Sequence, residues 1–454
     1  MRITLLILIF LSWQLPGWAQ SPPQNSVWSR FWLSGQANFI SQQHGDFYAA
    51  YSGPNSFRNT GQEAISRVLT LYTGFEASKN FEILVDVESA GGRGLSDALG
   101  IAGYTNVDVV RNPTLGAAPY LARGMLHWII PLSRDRKESS RNPLSLFSTL
   151  PVRRLEVRAG KMSAADFLDV NTIGSDSHTQ FMNWAAVNNA AYDYAADTRG
   201  YTYGVFLEYD DRWGALRLAE FLMPTVANGI TLDWNVARAG GTNAELELHP
   251  RLLKRSPTVV RLLGYANRAN MGNYREATDA YLAGRTQTAD IVADREQGRI
   301  KYGFGLNVEQ FLSRDWGVYG RLGWNDGRNE SFVYTEADRS ASLGTMVYGT
   351  RWRRPADKAG AAFLVDAISG DHARYLQLGG LGFLLGDGGL SYGLEKILET
   401  FYTAHVWGGV SIAVDWQHVT DPGYNLARGP VSILSFRLHL EGAAPLDKLS
   451  AAAH

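Results

Sequence analysis

Residues 157–204 read VRAGKMSAADFLDVNTIGSDSHTQFMNWAAVNNAAYDYAADTRGYTYG. The stretch opens on an alternating segment, runs through a long polar, amide-rich and aromatic passage, and closes on a second alternating segment. It is the least strand-like long stretch of a strand-like chain. The simplest reading is an insertion folded inward between two strands, with the rest of the chain forming the wall around it.

The wall is legible as period-two alternation, which marks strands whose two faces meet different surroundings. In residues 31–42, Phe31, Leu33, Gly35, Ala37 and Phe39 oppose Ser34, Gln36, Asn38 and Gln42. In 66–77, Leu69, Leu71 and Phe75 oppose Thr70, Tyr72 and Glu76; in 81–88, Ile83, Val85 and Val87 oppose Glu82, Asp86 and Glu88. Further segments of this kind lie at 120–130, 154–161, 201–209, 213–223, 244–249, 259–267, 300–311, 316–325, 332–339, 343–352, 360–368, 392–405, 410–419 and 431–440. A tight turn at 78–80 joins one pair, and long insertions at 89–118 and 268–298 join others.

That makes seventeen candidate strands. Single-chain bacterial outer-membrane barrels have an even number. The expectation is therefore all-β, a transmembrane antiparallel β-barrel of about 16 strands, or 18, with an inward-folded constriction loop. A soluble propeller or sandwich would also alternate. Aromatics on the apolar faces near strand ends (Phe31, Phe39, Trp128, Tyr203, Tyr209, Trp324, Trp352, Tyr402) instead suit an interfacial girdle. No repeat of blade length is evident. A mean hydropathy slightly below zero is compatible, since only alternate residues face lipid.

Composition removes other classes. The 454 residues carry a formal net charge of −1 and no basic run, which leaves no footprint for nucleic acid. Arg2, the apolar run 3–11 and Gly17-Trp18-Ala19 form a secretory signal peptide, residues 1–19, expected to be cleaved. Residues 20–30 read as a lead-in, 31–440 as the barrel and 441–454 as a C-terminal extension. With no Cys there is no disulfide framework, and beyond the signal no apolar run is long enough for a spanning helix.

If the apolar faces meet lipid, the polar faces line a lumen. Lumen candidates are Glu76, Asp86, Glu88, Arg123, His127, Glu156, Arg158, Arg217, Arg261, Arg321, Asn325, Asp415 and Gln417. Among these, Arg123 and Arg158 beside Glu156 are the expected determinants of ion selectivity, because charged rings set what passes a pore. In the insertion, Gln180, Asn183, Asn188 and Asn189 offer amides while Phe181, Trp184, Tyr192 and Tyr194 offer flat faces, a pairing that suits sugar hydroxyls and sugar C–H surfaces. Asp166, Asp169, Asp176 and His178 could offer oxygen ligands to a hard cation, though without the spacing of a known ion loop; no resident metal or cofactor is expected. The glycines at 379–382 and 386–389 lack the context of a dinucleotide site, no HExxH is present, and no catalytic arrangement stands out.

Several pieces in order, GKMSAADFLDVN, QFMNWA, YDYAADTRGYTYG, GRLGWNDGRNESFVYTEAD and LGGLGFLLGDGGLSYGLEKILETFYT, resemble the carbohydrate-selective porins, the OprB-type porins of Gram-negative outer membranes. The resemblance spans roughly residues 30–440. It implies a 16-stranded barrel in the outer-membrane lipid, a homotrimer, folding by the barrel-assembly machinery, and facilitated diffusion of small sugars through a constriction. It carries over to Asp166, Phe167, Asp169, Asn171, Gln180, Phe181 and Asn183 of the loop motif, and to Arg321, Trp324 and Glu336. Similar chains associated with manganese uptake imply the alternative of a divalent-metal porin. One departure stands out. Such chains usually end on an aromatic of the last strand, used in assembly, whereas this one continues past Leu440; either Phe436 and its strand suffice or assembly is unusual.

Overall fold

In a bilayer no water is available to satisfy backbone N–H and C=O groups, so strands can cross only as a ring without edges. The computed structural model, which describes residues 27–109, 115–251, 256 and 258–444, is such a ring. Sixteen antiparallel strands each pair with the next. The first, Phe31–His44, pairs on one side with Gln62–Ser78 and on the other with the last, Val431–Ala443, which closes the barrel. The expected signal segment and most of the lead-in and extension lie outside the described residues. The last strand runs three residues beyond 440, and residues 27–30 form a single 3-10 turn.

The predicted alternation sorts the two faces. Leu71, Val85, Leu126, Leu218, Phe304 and Leu343 point outward, with Leu343 67% exposed. Asn38, Asp86, His127, Glu156, Arg261 and Asp415 point inward and are buried. Of the expected girdle, Phe31, Trp128, Trp352 and Tyr402 are exposed on the outer surface.

One predicted strand is absent, which turns seventeen into sixteen. Residues 332–338 are buried on all sides inside the lumen, and the wall strand begins only at Arg339 (Arg339–Gly349). SFVYTEA has strong strand propensity, but tertiary context overrides it: the N–H groups of Phe332 and Val333 donate to the Asp193 carboxylate at 2.8 and 2.7 Å, not to a neighbouring strand. A small hairpin that no alternation marks, Arg136–Glu138 with Thr149–Pro151, stands at the end of the barrel where other connections are short.

The faces make a test. Leu343 lies mid-strand on the lipid side, so Leu343→Arg should cost about 2–4 kcal/mol in reversible urea unfolding from lipid vesicles. A cost near zero would mean that this face does not meet lipid.

Candidate pore constriction

From strand Arg154–Met162 to strand Thr202–Asp211, residues 163–201 turn into the barrel. A buried loop must find partners for its backbone, and the wall supplies them as carboxylates. Glu399 accepts from Met182 N (2.6 Å) and Asn183 N (3.3 Å). Glu309 accepts from Thr172 N and Glu245 from Asp169 N, both at 2.7 Å. Arg321 works in the opposite sense, donating to Ala186 O (2.6 Å) and Ser175 Oγ (2.8 Å) while its Nε lies 3.1 Å from Asp169 Oδ2. Arg437 holds Ser177 O and Gln180 O. Where Asn189 lies flat on the wall, the wall is glycine: a Cβ at Gly323 would come within 1.9 Å of Asn189 Oδ1, and one at Gly305 within 2.8 Å of its Nδ2.

The loop is not alone in the lumen. Residues 95–106 of the preceding long insertion also fold in, and Trp184 N and Nε1 donate to Tyr104 O and Asn106 O, each at 2.8 Å. Asn183 caps the helical turn Trp184–Val187 through Ala185 N (2.9 Å) and reaches Gly103 O (2.6 Å) and Gln417 (3.1 Å). Tyr334, from the segment misread as a strand, stacks on Trp184 with ring centres 5.2 Å apart and planes 5° from parallel.

A cavity of about 330 Å³ lies between the loop and the wall strands Gln62–Ser78, Phe81–Gly92 and Tyr120–Pro131. Aromatic rings on its lining fall in two clusters, Tyr120 with Tyr201 at 6.4 Å between centres, and Trp184 and Tyr194 against Tyr334 at 5.2 and 4.8 Å; Tyr72 lines it too. Arg123 is its central cation, bound to Asp86 at 2.9 Å and, through two bonds of 2.7 Å, to Asp166. Glu88 accepts hydroxyl bonds from Tyr120, Tyr201 and Thr70. Asp108, Asp176, Asp197, Arg199 and His178 are also on the lining. Burial works against ionisation of Asp176, but Lys358 and His178 outweigh it and hold the carboxyl down at about 2. At Asp197 burial wins over the Arg199 backbone N–H and Lys161, and the carboxyl is raised. Tyr72, Asp176 and His178 also line a second cavity of about 440 Å³ at the short-turn end, so these three side chains stand between the two spaces.

The other charges expected in the pore form a ladder inside the wall. His127 bridges Glu82 (2.7 Å) and Glu156 (2.8 Å); Glu156 binds Arg154 and Arg158, each at 2.5 Å; Arg158 continues to Glu208 (3.3 Å). Arg217 then joins Glu208, Glu245 and Glu247, and Arg261 joins Glu247 to Glu309. Glu156, Glu208 and Asp210 approach closely enough to suggest a cation site, but Arg154, Arg158 and Arg217 already neutralise them.

The structure thus separates the predicted site residues. Arg123, Glu88, Asp166 and Trp184 line the cavity. Arg158, Glu156, Arg217, Arg321 and Asn183 are not on its lining; Arg158 lies over the rings of Phe167 and Phe206. Phe181 packs edge-on against Phe401, Tyr192 bonds Asn243, Asn171 bonds Asn307, and Gln180 bonds Thr172 O. Asp166, Asp169 and Asp176 go to Arg123, Arg321 and Lys358 respectively, so they do not converge on one ion. Tyr72 was visible on a polar strand face, whereas nothing local marked Asp108 or Tyr334.

A family model described as carbohydrate-selective porin, OprB family, matches residues 54–441. The chain belongs to that family. The porin's fold is similar to the high-pH structure of Pseudomonas putida OprB, with a TM-score of 0.66 at 13% identity, covering 90% of this chain and 94% of that one. The channel DcaP of Acinetobacter baumannii gives a TM-score of 0.49 at 8% identity, covering 91% of this chain and 97% of that one. Among proteins of curated function none matches. Family and barrel together make this a channel of the bacterial outer membrane rather than an enzyme.

The clamp is open to experiment. Asp169→Ala leaves Arg321 buried without its carboxylate, which costs about 3–5 kcal/mol, and frees Asn189 N. The porin should still run as a folded, heat-modifiable barrel on gels, while limited proteolysis cuts within 163–201. A loop as resistant as in the parent would refute this anchoring role.

Proposed function

We propose that the porin passes small sugars by facilitated diffusion through the cavity beside Arg123. The observation that carries this reading is the lining itself: two clusters of aromatic rings together with a guanidinium and carboxylates. Aromatic faces accept the C–H surfaces of a pyranose ring, and the charged groups exchange hydrogen bonds with its hydroxyls. The volume of about 330 Å³ falls in the range of small-molecule sites, ~300–1,000 Å³. The same rings already have partners: Tyr120 and Tyr201 donate to Glu88, and Tyr334 donates to Trp184 O. They form a set surface that a solute can slide along without being held tightly, which is what conduction requires.

Planar-bilayer recording tests the proposal. Glucose or maltose should reduce the ion current in a saturable way, and Tyr120→Ala should weaken that block by about 0.5–1.5 kcal/mol. Arg123→Ala strips the partner from Asp86 and Asp166, so the reversal potential in a salt gradient should move toward cations, by roughly twofold or more in permeability ratio. Arg158→Ala, away from the cavity, should shift it less. An ion current indifferent to sugars would overturn the sugar reading, and absence of any current would overturn the channel.

A further inference from the structure

The carboxylates that line the cavity beside Arg123 do not stand alike. Asp166 is tied to Arg123 at 2.7 Å, and Asp176 lies 3.5 Å from Lys358. Asp197 lies 3.9 Å from Lys161, and Asp108 lies 3.6 Å from the His178 ring. Glu88, half-buried on the same lining, is the exception: among the described residues it forms no ion pair. Its partners are three neutral hydroxyls. Tyr120 donates to Oε1 at 2.5 Å, and Tyr201 and Thr70 donate to Oε2, both at 3.0 Å. The neighbouring guanidinium groups are engaged elsewhere, Arg123 with Asp86 and Asp166, and Arg199 over the ring of Tyr120 at 3.8 Å. Hydroxyl bonds orient a carboxylate but leave its charge in place. A carboxylate offers about four acceptor sites, so Oε1, which receives a single donor, has one to spare.

On the reading that sugars pass this cavity, we propose that Glu88 sets their charge preference: amino sugars carrying an ammonium are favoured over neutral sugars, and sugars carrying a carboxylate or phosphate are turned away. An ammonium is all donor and no acceptor, so it suits an oxygen with a free acceptor site, and its charge meets one that no side chain pairs with. A neutral hydroxyl can donate to the same oxygen without that attraction. An anionic group brings acceptors where acceptors already are, and is repelled by the like charge. Charged side chains of this kind along a pore set what passes. Because Glu88 is half-buried and not sealed away, water screens the attraction and keeps it modest, which lets the solute leave again.

The porin in planar bilayers at about pH 6, where an ordinary amine is protonated, should respond to three probes in order. Glucosamine should block the ion current at a half-blocking concentration about threefold below that of glucose, the effect a partly exposed ion pair supplies, and glucuronate should block least. Glu88→Gln keeps an oxygen for the three hydroxyls and removes the charge. Measured against its own sugar-free current, this variant should bring glucosamine level with glucose, and its reversal potential in a KCl gradient should move toward chloride. Glu88→Asp, which keeps the charge, should keep the order of the three probes. Equal block of the parent by glucosamine and glucose, or a glucosamine preference that survives in Glu88→Gln, would overturn the role of Glu88 while leaving sugar passage standing. A conducting parent that no sugar blocks would instead overturn sugar passage, and an unmoved reversal potential in Glu88→Gln would then overturn the charge role as well.

Discussion

The constraint that governs this molecule is that buried backbone must be hydrogen-bonded, and it acts twice. In the membrane it forces the strands into a closed ring. Inside the ring it acts again, because residues 95–106, 163–201 and 326–338 bring long runs of irregular chain out of water. Irregular backbone offers no ladder of its own. The wall answers with side chains, and the commonest answer is a carboxylate receiving loop N–H groups, as Glu399, Glu309 and Glu245 do for the main loop and Glu395 for Ala102, Gly103 and Gly423. Glu336, itself on an inward segment, does the same for Leu384 and Leu385.

This explains why so few lumen charges reach the open path. A carboxylate on an inward strand face can serve a solute, a guanidinium or a loop, and in this barrel the last two claim most of them. The ladder from Glu82 to Glu309 neutralises one side of the wall. On the facing side Glu395 and Glu399 are taken up by loop backbone. Arg123 is different because Asp166, its strongest partner by geometry, comes from the loop and not from the wall, which places the pair at the edge of the gap between them.

The sequence made the wall readable because alternation is local: each strand announces its two faces within a few residues. The outward Leu343 and the inward Asp86 follow from period two, whereas alternation alone offers seventeen strands and the count of sixteen needs the even number of such barrels as well. The loop was readable as the place where the period fails. Its interior was not, since Phe181, Trp184, Tyr192 and Tyr194 have equal composition value but different surroundings; only Trp184 and Tyr194 border the cavity. Residues 332–338 misled for the same reason in reverse, having strand-like residues in a place where Asp193 takes the backbone. The motif positions Asn183, Arg321 and Glu336 hold loops in place, a role that depends on chain segments more than 80 residues away in Asn183 to Gln417 or Arg321 to Ala186.

The path of residues 163–201 has a mechanical meaning. The loop is rooted at strands Arg154–Met162 and Thr202–Asp211, yet Asn183 and Met182 are fastened to Glu399 and Gln417, whose strands lie half-way round the ring. A chain tied to both ends of a diameter is a cross-brace. A thin-walled cylinder in a bilayer is subject to lateral pressure that tends to flatten it to an ellipse. A brace across a diameter stiffens the ring along that direction, so the residues that fill the lumen also tie its opposite walls together.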